Sequence, residues 1–498
     1  MKEQRSWISP LMKQCFVTAS VGSNIIGHGA TIGYTAILLP QLAQPRSAIV
    51  LTTSAGSWIA SVIGIPQLIG SFITPVIMGR YGRKAAHFAV TMPGLVGWTI
   101  ITMASTFEEL LVGRIFLGLA IGMMSPLRSS LIGEYSSPKY RGALLATVSL
   151  TQTFGIFAVH LLGSFLTWQI TAMILIFCPF ASLVMTIYSP ESPSWLADKG
   201  RYEECREVFH WLRGEDEEEE LEEMIQARII EKRISKKLKK NKFKAATSTV
   251  VKNEFWKPIT LMIHAYIMSN FAGATVMAAY STLVIPLVMG NDANAHFWMI
   301  FFDTQRLISN IFAVFFINRF KRRTMMFSTV SLSMVSQLAV AVYAYFRSHG
   351  TLSYTAVWVP AVLFNIQILT IATGIIPVPN VIGGEVFPLK YRGIGATISL
   401  SFLSTTFFLV AKTFPGLVES IGLHGTYLVH TAVMVQCFTV MWFLLPETKG
   451  KTLQQIEDEF RGKPLAADDE DAIEALQPEL EVIRRDSQRR RSSIIVIQ

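Results

Sequence analysis

Glu134-Tyr135-Ser136-Ser137-Pro138-Lys139-Tyr140-Arg141-Gly142 is written a second time as Glu385-Val386-Phe387-Pro388-Leu389-Lys390-Tyr391-Arg392-Gly393. A second phrase repeats in the same way: Gly79-Arg80-Tyr81-Gly82-Arg83-Lys84 and Asn318-Arg319-Phe320-Lys321-Arg322-Arg323. The two offsets, 251 and 239 residues, agree to within one loop. Each charged phrase lies between long apolar runs. The chain therefore reads as a duplicated membrane protein. Two such halves with a site between them are the usual build of a secondary transporter.

Composition points the same way. The 498 residues are 51% apolar and 16% charged, with a mean hydropathy of +0.41. A soluble protein carries about 25% charged residues. A spanning helix needs about 20 mostly apolar residues. Twelve such segments lie near 15–39, 57–79, 86–105, 110–133, 143–166, 169–189, 257–288, 297–317, 325–346, 355–383, 394–416 and 424–445. They are too long and too evenly apolar for barrel strands. The expected fold is all-α, with twelve transmembrane helices in two pseudo-symmetric six-helix bundles, over 14–189 and 256–445. Residues 190–255 read as a helical insertion. Its acidic run from Glu215 to Glu223 precedes its basic run from Lys232 to Lys244, the order a helix dipole prefers. It is either a solvated linker or a contact with anionic lipid or with the mouths of the halves. Residues 1–13 and 446–498 read as polar tails.

Lys and Arg set the orientation. One set of loops holds Arg80, Arg83, Lys84, Lys139, Arg141, Arg319, Lys321, Arg322, Arg323, Lys390 and Arg392; the opposite set holds Arg46 and Arg347. The rich side is expected in the cytoplasm with both termini, and the lipid bilayer is the surrounding partner. The net charge of +9 belongs to that membrane face, so a nucleic-acid partner is not expected. Cys15, Cys178, Cys205 and Cys437 form no metal or disulfide spacing. No nucleophile–base pair or phosphate loop appears, so neither an enzyme nor a cofactor or metal site is expected. Ser487 and Ser492 follow arginine-rich runs and are candidate kinase targets.

Three further stretches carry a family likeness. Gly113-Arg114, followed by Glu134 and Arg141-Gly142, resembles the fourth-helix signature of the sugar porters of the major facilitator superfamily. Pro190-Glu191-Ser192-Pro193-Ser194-Trp195-Leu196 and Pro446-Glu447-Thr448-Lys449-Gly450-Lys451-Thr452-Leu453 resemble that family's boxes after helices six and twelve. Gly33-Tyr34 with Leu38-Leu39-Pro40, and Lys412-Thr413-Phe414, lean toward the insect facilitated trehalose transporter group. The resemblance implies facilitative transport of a small polar solute, trehalose or a hexose, by alternating access in the plasma membrane. A carrier for a charged small metabolite and a non-transporting nutrient receptor remain alternatives.

The resemblance also implies a cytoplasmic gate. Glu134 and Glu385 would accept from Arg83 and Arg322, with Arg141 and Arg392 joining and Arg114 completing the N-terminal cluster. The family's acid before Arg80 and Arg319 is replaced by Gly79 and Asn318, which predicts a looser gate. Along the solute path every large sugar-binding side chain of the family is replaced, leaving Ser149, Gln152, Asn270, Thr275 and Asn380 as candidate contacts. Pro377 and Pro379 are expected to break helix ten. Asp303 and Arg306 lie mid-membrane on one helical face. They are either a mutually neutralised structural pair or a substrate contact in which Asp303 orients Arg306. Proton-linked sugar porters carry an Asp in helix one; Gly29 stands at that place, so uniport is the simpler expectation. His28 and Asp303 are the remaining proton candidates.

Overall fold

A computed structural model describes residues 9–45, 49–214, 217–237, 253–290, 292–350, 357–387, 392–451 and 453–461, and every regular element among them is helical. Ten helices are long and apolar enough to cross a membrane. One of these breaks at Gly422, where φ is 72°, and so makes two spans. Pro10–Leu42, started by Pro10 and capped by the Ser9 hydroxyl accepting from Met12 N at 3.3 Å, is long enough for another. The arrangement is consistent with the expected twelve. In chain order the spans are Pro10–Leu42, Thr53–Tyr81, Arg83–Met103, Phe107–Tyr135, Pro138–Phe165, Trp168–Tyr188, Phe255–Ala279 continued by Ser281–Met289, Ala295–Arg319, Arg322–Ser348, Trp358–Glu385, and the two parts of Arg392–Leu444.

In lipid, helices associate by packing rather than by expelling water, so small residues mark the tightest crossings. The first and fifth spans cross at Gly29 and Gly155. A Cβ added to Gly29 would fall 2.0 Å from the Gln152 carbonyl oxygen, and one on Gly155 would fall 2.1 Å from that of Ile26. Position 29 therefore has no room for the carboxylate that proton-linked relatives of this pattern would need there.

Two spans are broken. The seventh passes through a π turn, Asn270–Ala274, in which Gly273 has a φ of 99°. The tenth has its π turn at Ile371–Ile375, ending just before Pro377, which has no N–H to continue the ladder. The expected break at the tenth-span prolines is present; the seventh-span break has no proline behind it. Carbonyls freed at the seventh are taken up by side chains. Gln337 Nε2 donates to Phe271 O at 3.0 Å and Gln367 Nε2 to Ala272 O at 2.9 Å.

The buried core is asymmetric about the membrane. At the end away from the basic loops one apolar cluster joins both halves, with Tyr34, Ile37, Ile59 and Trp98 meeting Val284, Ile285, Phe364 and Phe414. At the basic end each half keeps its own cluster, one around Val90, Leu127 and Tyr135, the other around Met262, Met326 and Val386.

The insertion forms helices Pro193–Lys199, Tyr202–Arg213 and Glu218–Lys237. It is docked rather than a free solvated linker. Trp195, Leu196, Phe209 and Leu221 make a small core around Cys205, whose thiol burial pushes up to about 11, so it packs as a neutral group. Leu212 enters the N-terminal half's cluster. Gln14 of the first span donates to Leu212 O at 3.2 Å and to Ser137 Oγ at 3.0 Å. Residues 238–244 of the basic run, and both candidate kinase sites Ser487 and Ser492, lie outside the described residues.

The Gly29 crossing generates a prediction. Gly29→Ala must push the fifth span away from the first, and is expected to cost about 1–3 kcal/mol as overpacking does. Thermal unfolding in detergent measures it; a variant as stable as the parent would mean that the two backbones do not touch there.

Candidate functional site

At the basic end the two halves carry the same cluster. In the N-terminal half Arg83 opens the third span and donates to Glu134 Oε1 from Nη2 at 2.7 Å and from Nε at 3.1 Å. The other Glu134 oxygen accepts from the Ser192 hydroxyl. Glu191 Oε1 accepts from the Arg83 and Lys84 amides at 2.7 and 3.2 Å, at the positive end of that helix's dipole. In the C-terminal half Arg322 Nη2 lies 3.5 Å from Glu385 Oε1, and Glu385 Oε2 accepts from Thr448 Oγ1 at 2.5 Å. Glu447 accepts from the Arg322 and Arg323 amides at 3.0 and 3.2 Å. Each cluster stays within one half.

Glu191 and Glu447 were legible only as letters of the two signature boxes. The available signal was positional, since each box follows the sixth span of its half. They supply a second carboxylate where Gly79 and Asn318 supply none. Arg141 is placed differently from the expectation. It donates to Ser136 O at 3.3 Å and faces Glu220 of the insertion at 3.9 Å, both side chains being exposed. Arg392 begins a helix, but its side chain lies outside the described residues. Arg114 does not join the cluster. It precedes Glu134 by 20 residues on one helix, about 30 Å along the axis. Fully buried, it donates to Ile59 O at 3.0 Å, Thr31 O at 2.6 Å and Thr35 Oγ1 at 2.7 Å, tying the first, second and fourth spans together.

From mid-span to the opposite end, hydrogen bonds cross between the halves. Ser149 Oγ donates to Asn310 Oδ1 at 2.9 Å, and Asn310 Nδ2 to Thr153 Oγ1 at 3.0 Å. His160 Nδ1 lies 2.5 Å from Asp303 Oδ2. Thr282 Oγ1 donates to Ala36 O at 2.7 Å. Lys412 Nζ donates to Ser57 Oγ at 2.8 Å and sits 4.3 Å from the centre of the Trp58 ring. With the shared apolar cluster, these close the molecule at the end away from the basic loops.

The expected path residues divide into engaged and free. Asn270 and Thr275 are buried and bonded to one another, Thr275 Oγ1 to Asn270 Oδ1 at 2.8 Å, while Asn270 Nδ2 donates to Thr406 Oγ1 at 2.8 Å. They brace the seventh-span break against the eleventh span. Gln152 is half-buried, and its amide has no hydrogen-bond partner among the described residues. Asn380 is exposed and donates to Ile376 O at 3.2 Å. Asp303 and Arg306 are not an ion pair, because the carboxylate has gone to His160 instead. Arg306 lines, with Asp303, Met277, Ser281 and Phe302, a cavity with room for about one water molecule, and its buried Nε has no partner among the described residues. His28 is buried in the first span, and its Nε2 has no partner among the described residues. The sequence reading missed His160, Asn310, Gln337 and Gln367. Asn310 was reachable, since it lies one turn beyond Arg306.

The family described as sugar (and other) transporter matches residues 14–460. The chain belongs to the sugar transporter family. Membership of a family of carriers agrees with the expectation that it is not an enzyme. Facilitated trehalose transporters are similar to it. That of Polypedilum vanderplanki is 25% identical over 90% of this chain and 87% of its own length, and that of Bombyx mori 26% over 88% and 84%. That of Drosophila yakuba is 26% identical over 90% of this chain, which spans about half (51%) of that relative's length. Among solved structures, the proton:xylose symporter XylE bound to 6-bromo-6-deoxy-D-glucose superposes with a TM-score of 0.71, at 17% identity, over 91% of this chain and all of that one. An inward-open form of XylE from E. coli gives 0.69 at 18% identity, over 89% of this chain and 99% of that one. The transporter thus has the major facilitator fold.

Glu191→Ala and Glu447→Ala each remove a helix-capping carboxylate from this transporter, at an expected cost of about 0.5–2 kcal/mol. The two clusters share no partner, so the double variant should lose the sum to within about 0.5 kcal/mol. Unfolding midpoints in detergent check this; a double variant no worse than either single one would show the clusters to be coupled.

Proposed function

We propose that this transporter moves trehalose or a hexose down its gradient by alternating access of its two halves. The observation that carries the reading is the asymmetry of the interface: one apolar cluster and a set of hydrogen bonds join the halves at one end, while at the other each half keeps its own core and its own ion-pair cluster. A carrier that rocks needs two such ends, each able to close while the other opens. The trehalose transporters among its relatives support the solute class.

In this reading the basic end faces the cytoplasm of a plasma-membrane protein, with both termini inside. The Arg83–Glu134 and Arg322–Glu385 clusters are then the inner gate, with Arg141 and Arg392 joining as it closes. Gln152, Arg306 and Asn380 line the solute path. Ser149 and Asn310 are released to it as the halves part, and Asn270 and Thr275 hold the seventh-span break beside it. Gly29, with no room for a side chain, favours facilitated diffusion over coupling through the first span. A second reading, a carrier for an anionic metabolite, rests on Arg306, a guanidinium beside the cavity whose Nε has no partner among the described residues.

Proteoliposomes test both. Saturable uptake of labelled trehalose or glucose is expected, with Arg306→Asn shifting its KM or abolishing it. Bridging Ser57→Cys and Lys412→Cys with a short reducible thiol crosslinker should hold the outer end shut and stop uptake, and reduction should restore it. Folded protein that moves neither sugar, but takes up an anion in an Arg306-dependent way, would replace the sugar reading with the second one.

A further inference from the structure

His160 sits where four spans meet, and every group its ring nitrogens touch is an acceptor. Nδ1 lies 2.5 Å from Asp303 Oδ2, on the eighth span. Nε2 lies 3.1 Å from Gly33 O of the first span and 3.1 Å from Ala278 O of the seventh. The ring is fully buried and Asp303 is 7% exposed. Asp303 has no other hydrogen-bond partner among the described residues. A neutral imidazole has one N–H and one lone pair, and an ionised carboxylate only accepts. With His160 neutral and Asp303 ionised, one ring lone pair must therefore face either the carboxylate or the two carbonyls. One added proton removes the conflict. On the ring, it lets both nitrogens donate. On the carboxyl, Oδ2–H donates to Nδ1 while Nε2–H donates to the carbonyls.

The surroundings offer no substitute for that proton. Arg306, one turn along the eighth span, shares a cavity wall with Asp303 and interacts with its charge, but makes no hydrogen bond or ion-pair contact to it among the described residues and so supplies the carboxylate no donor. His296, on the same span, is bonded to Ser164 Oγ at 3.1 Å. Arg114, behind the first span, already donates to Thr31, Thr35 and Ile59. The Tyr34 and Tyr280 phenols donate to Trp168 O and Ala411 O. The site also exists only while the halves are together, because the ring belongs to the fifth span and two of its three acceptors to the seventh and eighth. Gly33 lets the ring approach: a Cβ there would come within 3.0 Å of Nε2.

We propose that the His160–Asp303 pair is a proton-binding site assembled when the halves close at the end away from the basic loops, so that closure takes up one proton and opening releases it. The proposal rests on the carrier reading only for the existence of two conformations. The closed state binds the extra proton, so it is favoured at low pH. The closed-to-open ratio falls as pH rises through the site's titration, by up to about tenfold per pH unit.

The test is a distance distribution across the outer lip, in lipid nanodiscs without sugar, from spin labels at Val50→Cys and Ile421→Cys with Cys15 and Cys178 changed to serine. The closed population of the parent should fall as the pH is raised. In Asp303→Asn the amide donates to Nδ1 of a neutral His160 while Nε2–H keeps the carbonyls, so the closed population should stay high and flat. In His160→Ala it should be lower, without the slope. A parent population indifferent to pH overturns the proposal, as does an Asp303→Asn profile that keeps the parental slope. The parental profile decides alone if a variant does not fold. No sugar enters the readout, so its failure leaves the carrier reading standing, and failed sugar uptake leaves this one standing.

Discussion

A helix that breaks inside a membrane frees carbonyl oxygens that hydrocarbon cannot hydrate, and each must find a donor within the protein. That constraint sets where polar side chains go in the C-terminal half. The seventh span breaks at Gly273, and Gln337 and Gln367 reach in from the ninth and tenth spans to take up the Phe271 and Ala272 carbonyls. Asn270 and Thr275 brace the same break from the inside. Gln337 and Gln367 are thereby fixed by backbone satisfaction rather than by a solute, and Asn270 and Thr275 by each other and by Thr406.

The duplication gives each half its own ion-pair cluster, and the two play the same part twice. Arg83 and Arg322 pair with glutamates near the end of the fourth and tenth spans, and Glu191 and Glu447 hold the amides that open the third and ninth. None of these groups is fully buried, so each pair contributes modestly. Their effect is geometric: each cluster ties together the span ends of one half. The bonds between the halves lie elsewhere, at the Lys412–Ser57, Thr282–Ala36 and His160–Asp303 contacts.

How much of this is legible in the chain depends on whether a residue's role is local. The twelve apolar runs, the duplicated charged phrases and the helical insertion follow from periodicity and charge, which act over a few residues. Arg83 with Glu134 and Arg322 with Glu385 were reachable because the family resemblance pairs them and the repeat writes both partners twice. Arg114 was misplaced because a family signature joins it to Glu134 in sequence, while 20 residues of helix carry it to the other end of the molecule. Asp303 was matched to Arg306 because three-residue spacing puts them on one face. The partner the fold supplies is His160, 143 residues away, which no spacing rule can find.

That last contact reverses the usual weighing of a buried carboxylate. An unpaired Asp in the membrane is costly, and a neighbouring Arg on the same helix would relieve it in every conformation alike. A partner on the other half relieves it in one conformation only. The relief then becomes a difference between states, and only such differences bias an equilibrium. Position 29 of the first span cannot carry a carboxylate, since it is closed in by the Gln152 carbonyl. The eighth span can, because it faces the fifth across the boundary between the halves. A carboxylate placed there reports closure of the halves, and the all-acceptor surroundings of His160 make a proton the species through which it does so.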